Sequence, residues 1–196
     1  MQTRLLAKAS LLALFSLLMI LPASIQAQGT SNSRILALRK LDGVGKRGLL
    51  RTPIYETNIS RGRMNAQNWG RAYVEYDTAP DWIDEMTIRW YVLLKDRSNE
   101  YVMLKGSTSY VDIEKGRQHR AEIFIRPQTL KRYGEIAAIA VEFVSAGQTV
   151  GGEATSFKGS KNWFQSSAVD TRDGVLLNRN KTPWAFINSD DYQSIK

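Results

Sequence analysis

The sequence predicts an all-β protein, an immunoglobulin-like antiparallel β-sandwich with one short helix. Three observations carry this expectation. Apolar and polar residues alternate with a period of two through most of the chain beyond residue 33. Turn-forming clusters separate the alternating runs roughly every ten residues. Only Pro127–Tyr133 (PQTLKRY) fits a helical turn or two, with Gly134 placed to stop it.

The elements follow in order. Ile35, Leu36, Leu38 and Leu41 mark a first short strand, closed by the glycine-rich turn Asp42–Gly48. A second strand spans Leu49–Asn58, where Pro53 lacks an N–H and so marks an edge or a bulge. Ser60–Asn68 is loop-like. Trp69–Tyr76 sets Ala72, Val74 and Tyr76 on one face against Arg71, Tyr73 and Glu75, and Asp77–Asp81 reads as a turn. Met86–Lys95 sets Met86, Ile88, Trp90, Val92 and Leu94 against Thr87, Arg89, Tyr91, Leu93 and Lys95. After the loop Asp96–Glu100 come short strands at Tyr101–Leu104, Tyr110–Ile113 and His119–Arg126. Glu135–Ser145 is rich in alanine, but the β-branched run from Ile139 and the bounding Gly134 and Gly147 favour strand. Gln148–Thr155 is its partner. The apolar runs Val175–Leu177 and Trp184–Ile187 form a hairpin or a strand that returns to the sheet. Trp90, mid-strand, is an immunoglobulin-like feature; the usual cysteine pair is absent, and Val74 and Val141 take comparable inward positions. A jelly roll or small barrel shares the same pattern.

The first 27 residues read as a secretory signal peptide. Arg4 and Lys8 form a basic start, Leu11–Leu21 is an apolar run, Pro22 breaks it, and cleavage falls after Ala27. The run is shorter than the roughly 20 residues a spanning helix needs. The expected organisation is a signal peptide at 1–27, a flexible mature N-terminus at 28–33, a sandwich at 34–157 and a C-terminal extension packing on it at 158–196. No membrane span remains after cleavage, and the expected location is the periplasm, the outer membrane or the extracellular space.

Composition narrows the chemistry. The chain has no cysteine and one histidine. That excludes a disulfide framework, a thiol nucleophile, a zinc ribbon and any site needing two imidazoles. The net charge of +8 falls to +6 when Arg4 and Lys8 leave with the signal. The remaining excess is scattered over Lys46-Arg47, Arg61, Arg63, Arg117, Arg120, Lys131-Arg132, Arg179 and Lys181, with no nucleic-acid-binding motif. It reads as a solubilising surface, or as an attraction to polyanions such as surface glycans. Catalytic readings have little to stand on. His119 has no Gly-x-Ser-x-Gly elbow to serve. Asp81, Asp84, Glu85, Asp190 and Asp191 are the acids that could pair in a glycosidase, and adjacent acids in turns are usually solvated turn residues. The glycine-rich stretches 43–48 and 147–152 lack a phosphate-loop lysine pattern. Trp69, Trp82, Trp163 and Trp184 serve as core plugs or, alternatively, as a sugar-stacking or protein-contact platform. No residue is assigned a catalytic or metal-binding role, no cofactor is expected, and the binding residues are unassigned.

The stretch Ile88–Trp163 contains RWYVLLKD (Arg89–Asp96), YVMLKGSTSYVDIEKG (Tyr101–Gly116) and EFVSAGQTVGG (Glu142–Gly152), followed by Trp163-Phe164. It resembles a family of secreted, pilus-like proteins of the Verrucomicrobia with an immunoglobulin-like fold. That family's sandwich is similar to those of archaeal type IV pilins, and its genes accompany pilus-like components. A type IV prepilin retains its apolar helix and carries a glutamate five residues into the mature protein. Here the apolar run precedes Ala27 and holds no glutamate. The resemblance therefore implies a pilus-associated or surface protein more than a filament subunit. The leading expectation is an exported, non-enzymatic envelope protein acting through protein–protein contacts, with pilus-like or secretion-system proteins, or itself, as partners. A carbohydrate-binding or adhesin module is the alternative, and a carboxylate-based hydrolase the second.

Overall fold

The computed structural model describes residues 35–53, 66–166 and 169–196. The expected signal peptide, the second half of the strand expected at 49–58, and Arg61 and Arg63 lie outside them. The described chain is a nine-stranded, mostly antiparallel sheet with one α-helix. The strands are β1 (Leu36–Asp42), β2 (Leu49–Arg51), β3 (Asn68–Lys95), β4 (Tyr101–Ile125), β5 (Glu135–Ser145), β6 (Gln148–Ala154), β7 (Asp170–Asp173), β8 (Leu177–Asn178) and β9 (Ser194–Ile195). The helix α1 is Pro127–Tyr133. Among the described residues, no helix is long and apolar enough to cross a membrane.

Two strands organise everything else. β3 runs for 28 residues and β4 for 25, joined by the tight loop at 96–100. At ~3.3 Å per residue a straight β3 would reach ~90 Å. A domain of this size has a radius of gyration of only ~15 Å. The hairpin must therefore bend. The register shifts between Tyr76 and Thr78, and again between Thr78 and Trp82, mark where it does so. The first half of β3 pairs with β1, β2 and the second half of β4, while its second half pairs with β5 and the first half of β4. The two halves face each other across one core, which makes the sheet a sandwich.

The alternation explains that core. Ala72, Val74, Tyr76, Met86, Ile88, Trp90 and Val92 of β3 are all fully buried, and they meet Ala121 and Ile123 of β4 and Val141 and Phe143 of β5. Trp90 lies opposite Val141 across the β3–β5 ladder. The turn expected at Asp77–Asp81 is instead a bulged corner inside β3, and the three short strands expected between Tyr101 and Arg126 are one strand. Proline and aspartate at 80 and 81 mimic a turn locally; both flanks stay paired to β4, so the ladder continues across them.

Gly134 ends α1 with φ 89°, and a Cβ there would lie 1.9 Å from the Lys95 carbonyl oxygen. Only glycine fits this approach of the helix end to the β3–β4 loop.

The C-terminal segment closes the sandwich. β7 runs parallel to Val102–Lys105, β8 pairs with Ile123–Phe124, and β9 pairs with Tyr110–Val111. Together they occupy the β4 edge in both halves. Ahead of them, Trp163 and Phe164 cover the outer face of the second half, against Leu93, Met103, Ala138 and Ala140. The Trp163 indole N–H donates to the Thr155 carbonyl at 2.9 Å.

Candidate interaction surface and the C-terminal strap

Residues 177–195 form a strap across the outer face of the first half of the sandwich. Alternation turns Glu122 and Phe124 of β4 outward, yet both are buried by the strap. Trp184 stacks on Phe124 with centroids 5.2 Å apart and meets Trp69 edge-on at 5.6 Å. Glu122 is the polar anchor. Its carboxylate accepts hydrogen bonds from Arg179 Nη1 at 2.8 Å, Tyr192 Oη at 3.3 Å and Arg71 Nη1 at 3.4 Å. Arg179 also donates to the Ile187 carbonyl, and its guanidinium lies over the Tyr192 ring, 3.6 Å from the centroid. Burial pushes the Tyr110 phenol, beneath this network, well above its ordinary range. A cavity of about 270 Å³ sits beside the anchor, lined by Tyr110, Glu122, Arg179 and Tyr192 among others.

Beside the anchor, the half-buried Tyr73 ring gathers three cations. Arg71, Arg120 and Lys40 lie 5.1, 5.1 and 5.3 Å from its centroid. Arg120 bonds Glu75 at 2.5 Å and Lys40 approaches Asp42 at 3.4 Å. Each of the three cations has a carboxylate partner, Glu122 being shared with Arg179 and Asp42 with Arg47, so this face is a linked polar network.

His119 belongs to the strap's second tie. Its Nδ1 meets Gln193 Nε2 at 2.8 Å and its Nε2 meets Thr78 Oγ1 at 3.0 Å. Thr78 donates to the Glu114 carbonyl at 2.9 Å. The neutral ring therefore fits with its proton on Nε2, accepting from Gln193 on Nδ1. Burial holds the His119 pKa below the ordinary value, with the Glu114 carbonyl and the charges of Asp77 and Glu114 pulling the other way. No serine hydroxyl is among these contacts.

The other sequence candidates are dispersed. Asp81 faces Lys115 at 3.5 Å on the exposed corner, and Glu85 holds Lys196 at 2.7 Å. Asp84, Asp190 and Asp191 are exposed. Among the described residues, no group of three His, Asp or Glu side chains stands where a metal ion could be held. The tryptophans divide: Trp163 and Trp184 are buried, Trp69 is half-buried, and Trp82 is 61% exposed. Lys46-Arg47 and Lys131-Arg132 are exposed in separate places, whereas Arg179 is buried. The Glu122 anchor gave no signal in the sequence. Glutamate at an outward strand position reads as solvent-facing, and its partner Arg179 lies 57 residues away.

One flank of the sandwich stays open. Among the described residues, no strand pairs with the outer edge of β1 or of β6. The two edges approach one another, with Leu36 beneath Gly151, and between them runs a groove of about 350 Å³. β1 carries Arg39 and Lys40, charges that discourage pairing. Gln148–Gly152 of β6 carries none. Among the described residues, the large exposed apolar side chains are Trp82, Leu49 and Phe186, the last 94% exposed at the tip of the strap.

Fold and surface define an all-β sandwich protein with an open strand flank and a C-terminal strap. The chain belongs to the protein family whose model matches residues 46–196, a span that takes in the strap to its end. No curated protein matches the chain significantly. Among solved structures, it is similar to a crystal structure of a protein from Akkermansia muciniphila, a verrucomicrobium, at 19% identity and a TM-score of 0.69. That match covers 82% of this chain and 92% of the other. At this identity the likeness is one of fold.

Proposed function

We propose that this is an exported, non-enzymatic, pilus-associated protein of the bacterial envelope, working through protein–protein contact at its open flank. The observation that carries the reading is the uncharged Gln148–Gly152 stretch of β6, which has no strand on its outer edge among the described residues. Such an edge presents a row of backbone donors and acceptors that an extended segment of a partner can complete. The contrast with the β4 edge supports this: the three C-terminal strands β7, β8 and β9 cover that edge, whereas no described strand covers the other. The leader-like sequence at 1–27 supports export, and the fold likeness to the verrucomicrobial structure agrees with the family resemblance.

The test has two parts. Cell fractionation with N-terminal sequencing of the mature protein is expected to find it outside the cytoplasm, starting at Gln28. Envelope extracts are then passed over immobilised mature protein and over a Gln148→Lys/Thr149→Lys variant. Retention of pilus-like components by the first and not the second is the expected result. Cytoplasmic location, or equal retention by both, would refute the proposal.

A further inference from the structure

We propose that the cleft beside Trp69 is a binding site for acidic carbohydrate, an oligosaccharide carrying carboxylate or sulfate groups. The cleft is shallow, about 700 Å³, and its walls include Trp69, Arg126, Gln128, Thr129, Lys181 and Thr182. It lies away from the β1–β6 flank, so the inference stands apart from the function proposed above.

Three features make the case. First, the wall holds two cations and no carboxylate. Arg126 and Lys181 are exposed and form no ion pair with any described residue, unlike the neighbouring Arg71, Arg120 and Arg179, each held by a glutamate. Uncompensated like charges brought together from β4's end and the strap repel one another, and a bound anion relieves that repulsion. Second, the Trp69 ring is braced by a neighbour. Trp184 packs edge-on against it and is itself stacked on Phe124 and buried. A braced indole in the cleft wall offers apolar surface to a sugar ring at little entropic cost. Third, Gln128 and Thr129 place a side-chain amide and hydroxyl on the same wall, the groups that bond sugar hydroxyls. Cation, flat aromatic and neutral hydrogen-bonding groups together suit an acidic sugar better than a neutral one. They suit it better than a bare anion as well, which has no use for the indole.

Calorimetric titration of the mature chain tests this. The probes are a heparin-derived tetrasaccharide, a tetragalacturonate, maltotetraose, and a phosphopeptide of matching charge. Binding of either acidic tetrasaccharide, weakening as salt rises and absent for maltotetraose, is the expected result; whichever binds more tightly identifies sulfate or carboxylate as the preferred group. Arg126→Gln and Lys181→Gln each remove a charge-assisted bond and are expected to weaken binding about fivefold to tenfold. Both residues are exposed, so the variants keep the wild-type melting temperature. Lys131→Gln/Arg132→Gln, exposed and outside the cleft wall, leaves affinity unchanged. No binding of either acidic sugar, equal binding of maltotetraose or the phosphopeptide, or binding indifferent to the Arg126 and Lys181 substitutions would overturn the proposal.

Discussion

Removing Arg179 tests whether the strap is held by its buried ion pair. The side chains of Glu122 and Arg179 are 1% and 8% exposed and 2.8 Å apart. In Arg179→Ala, Glu122 keeps Tyr192 at 3.3 Å and Arg71 at 3.4 Å, the latter 25% exposed. Breaking a buried pair from one side costs about 3–5 kcal/mol, because the remaining charge stays desolvated. Arg71 offsets part of this, while the lost stacking on Tyr192 adds about 1 kcal/mol. The expected loss is therefore about 3–4 kcal/mol, read from urea denaturation as a lower midpoint. For a chain of this length it corresponds to a melting temperature lower by about 6–16 °C. Replacing both partners, Glu122→Leu with Arg179→Met, removes charge and counter-charge together. That double variant is expected to recover to within about 1 kcal/mol of wild type. A loss below about 1 kcal/mol for Arg179→Ala, or strictly additive single and double variants, would refute the reasoning.

Other predictions follow from the same contacts. Trp184→Ala removes the stack on Phe124 and the edge contact to Trp69, costs about 3–5 kcal/mol, and opens the strap to limited proteolysis before the rest of the sandwich. The folded-state pKa of His119 lies below its unfolded value, so between the two the unfolded chain binds the extra proton and stability rises with pH. The urea midpoint of the wild type should therefore fall as pH drops below about 6.5, and His119→Gln should fall less over the same interval. Gly134→Ala forces a Cβ against the Lys95 carbonyl at positive φ and should cost at least about 1–3 kcal/mol in thermal unfolding.

The sandwich core was legible because period-two alternation is local. Val74, Trp90 and Val141 each fall on the apolar parity of their own alternating run, and each is fully buried. The helix at Pro127–Tyr133 with its glycine stop was legible for the same reason. The bent hairpin was not. A strand that bulges through Asp77–Asp81 and a strand that ends there have the same local sequence, and the pairing partner decides between them. The strap's chemistry was hidden in a different way. Glu122 sits where alternation puts solvent, and only a segment brought back from far along the chain buries it. The tryptophans make the same point: Trp184 and Trp82 look alike in sequence, but one finds Phe124 and the other finds water. The cleft beside Trp69 was invisible because Arg126 and Lys181 come together only through the strap's return.

The proposed contact of the open β6 edge with a partner can be tested in place. The most direct measurement places a photo-crosslinking residue at Thr149 in expressing cells, with one at Lys131 as the distant control, and identifies adducts by mass spectrometry. The account predicts a discrete adduct with a pilus-like or secretion-system component from Thr149 and not from Lys131. No adduct from Thr149, or the same adduct from both positions, would contradict it.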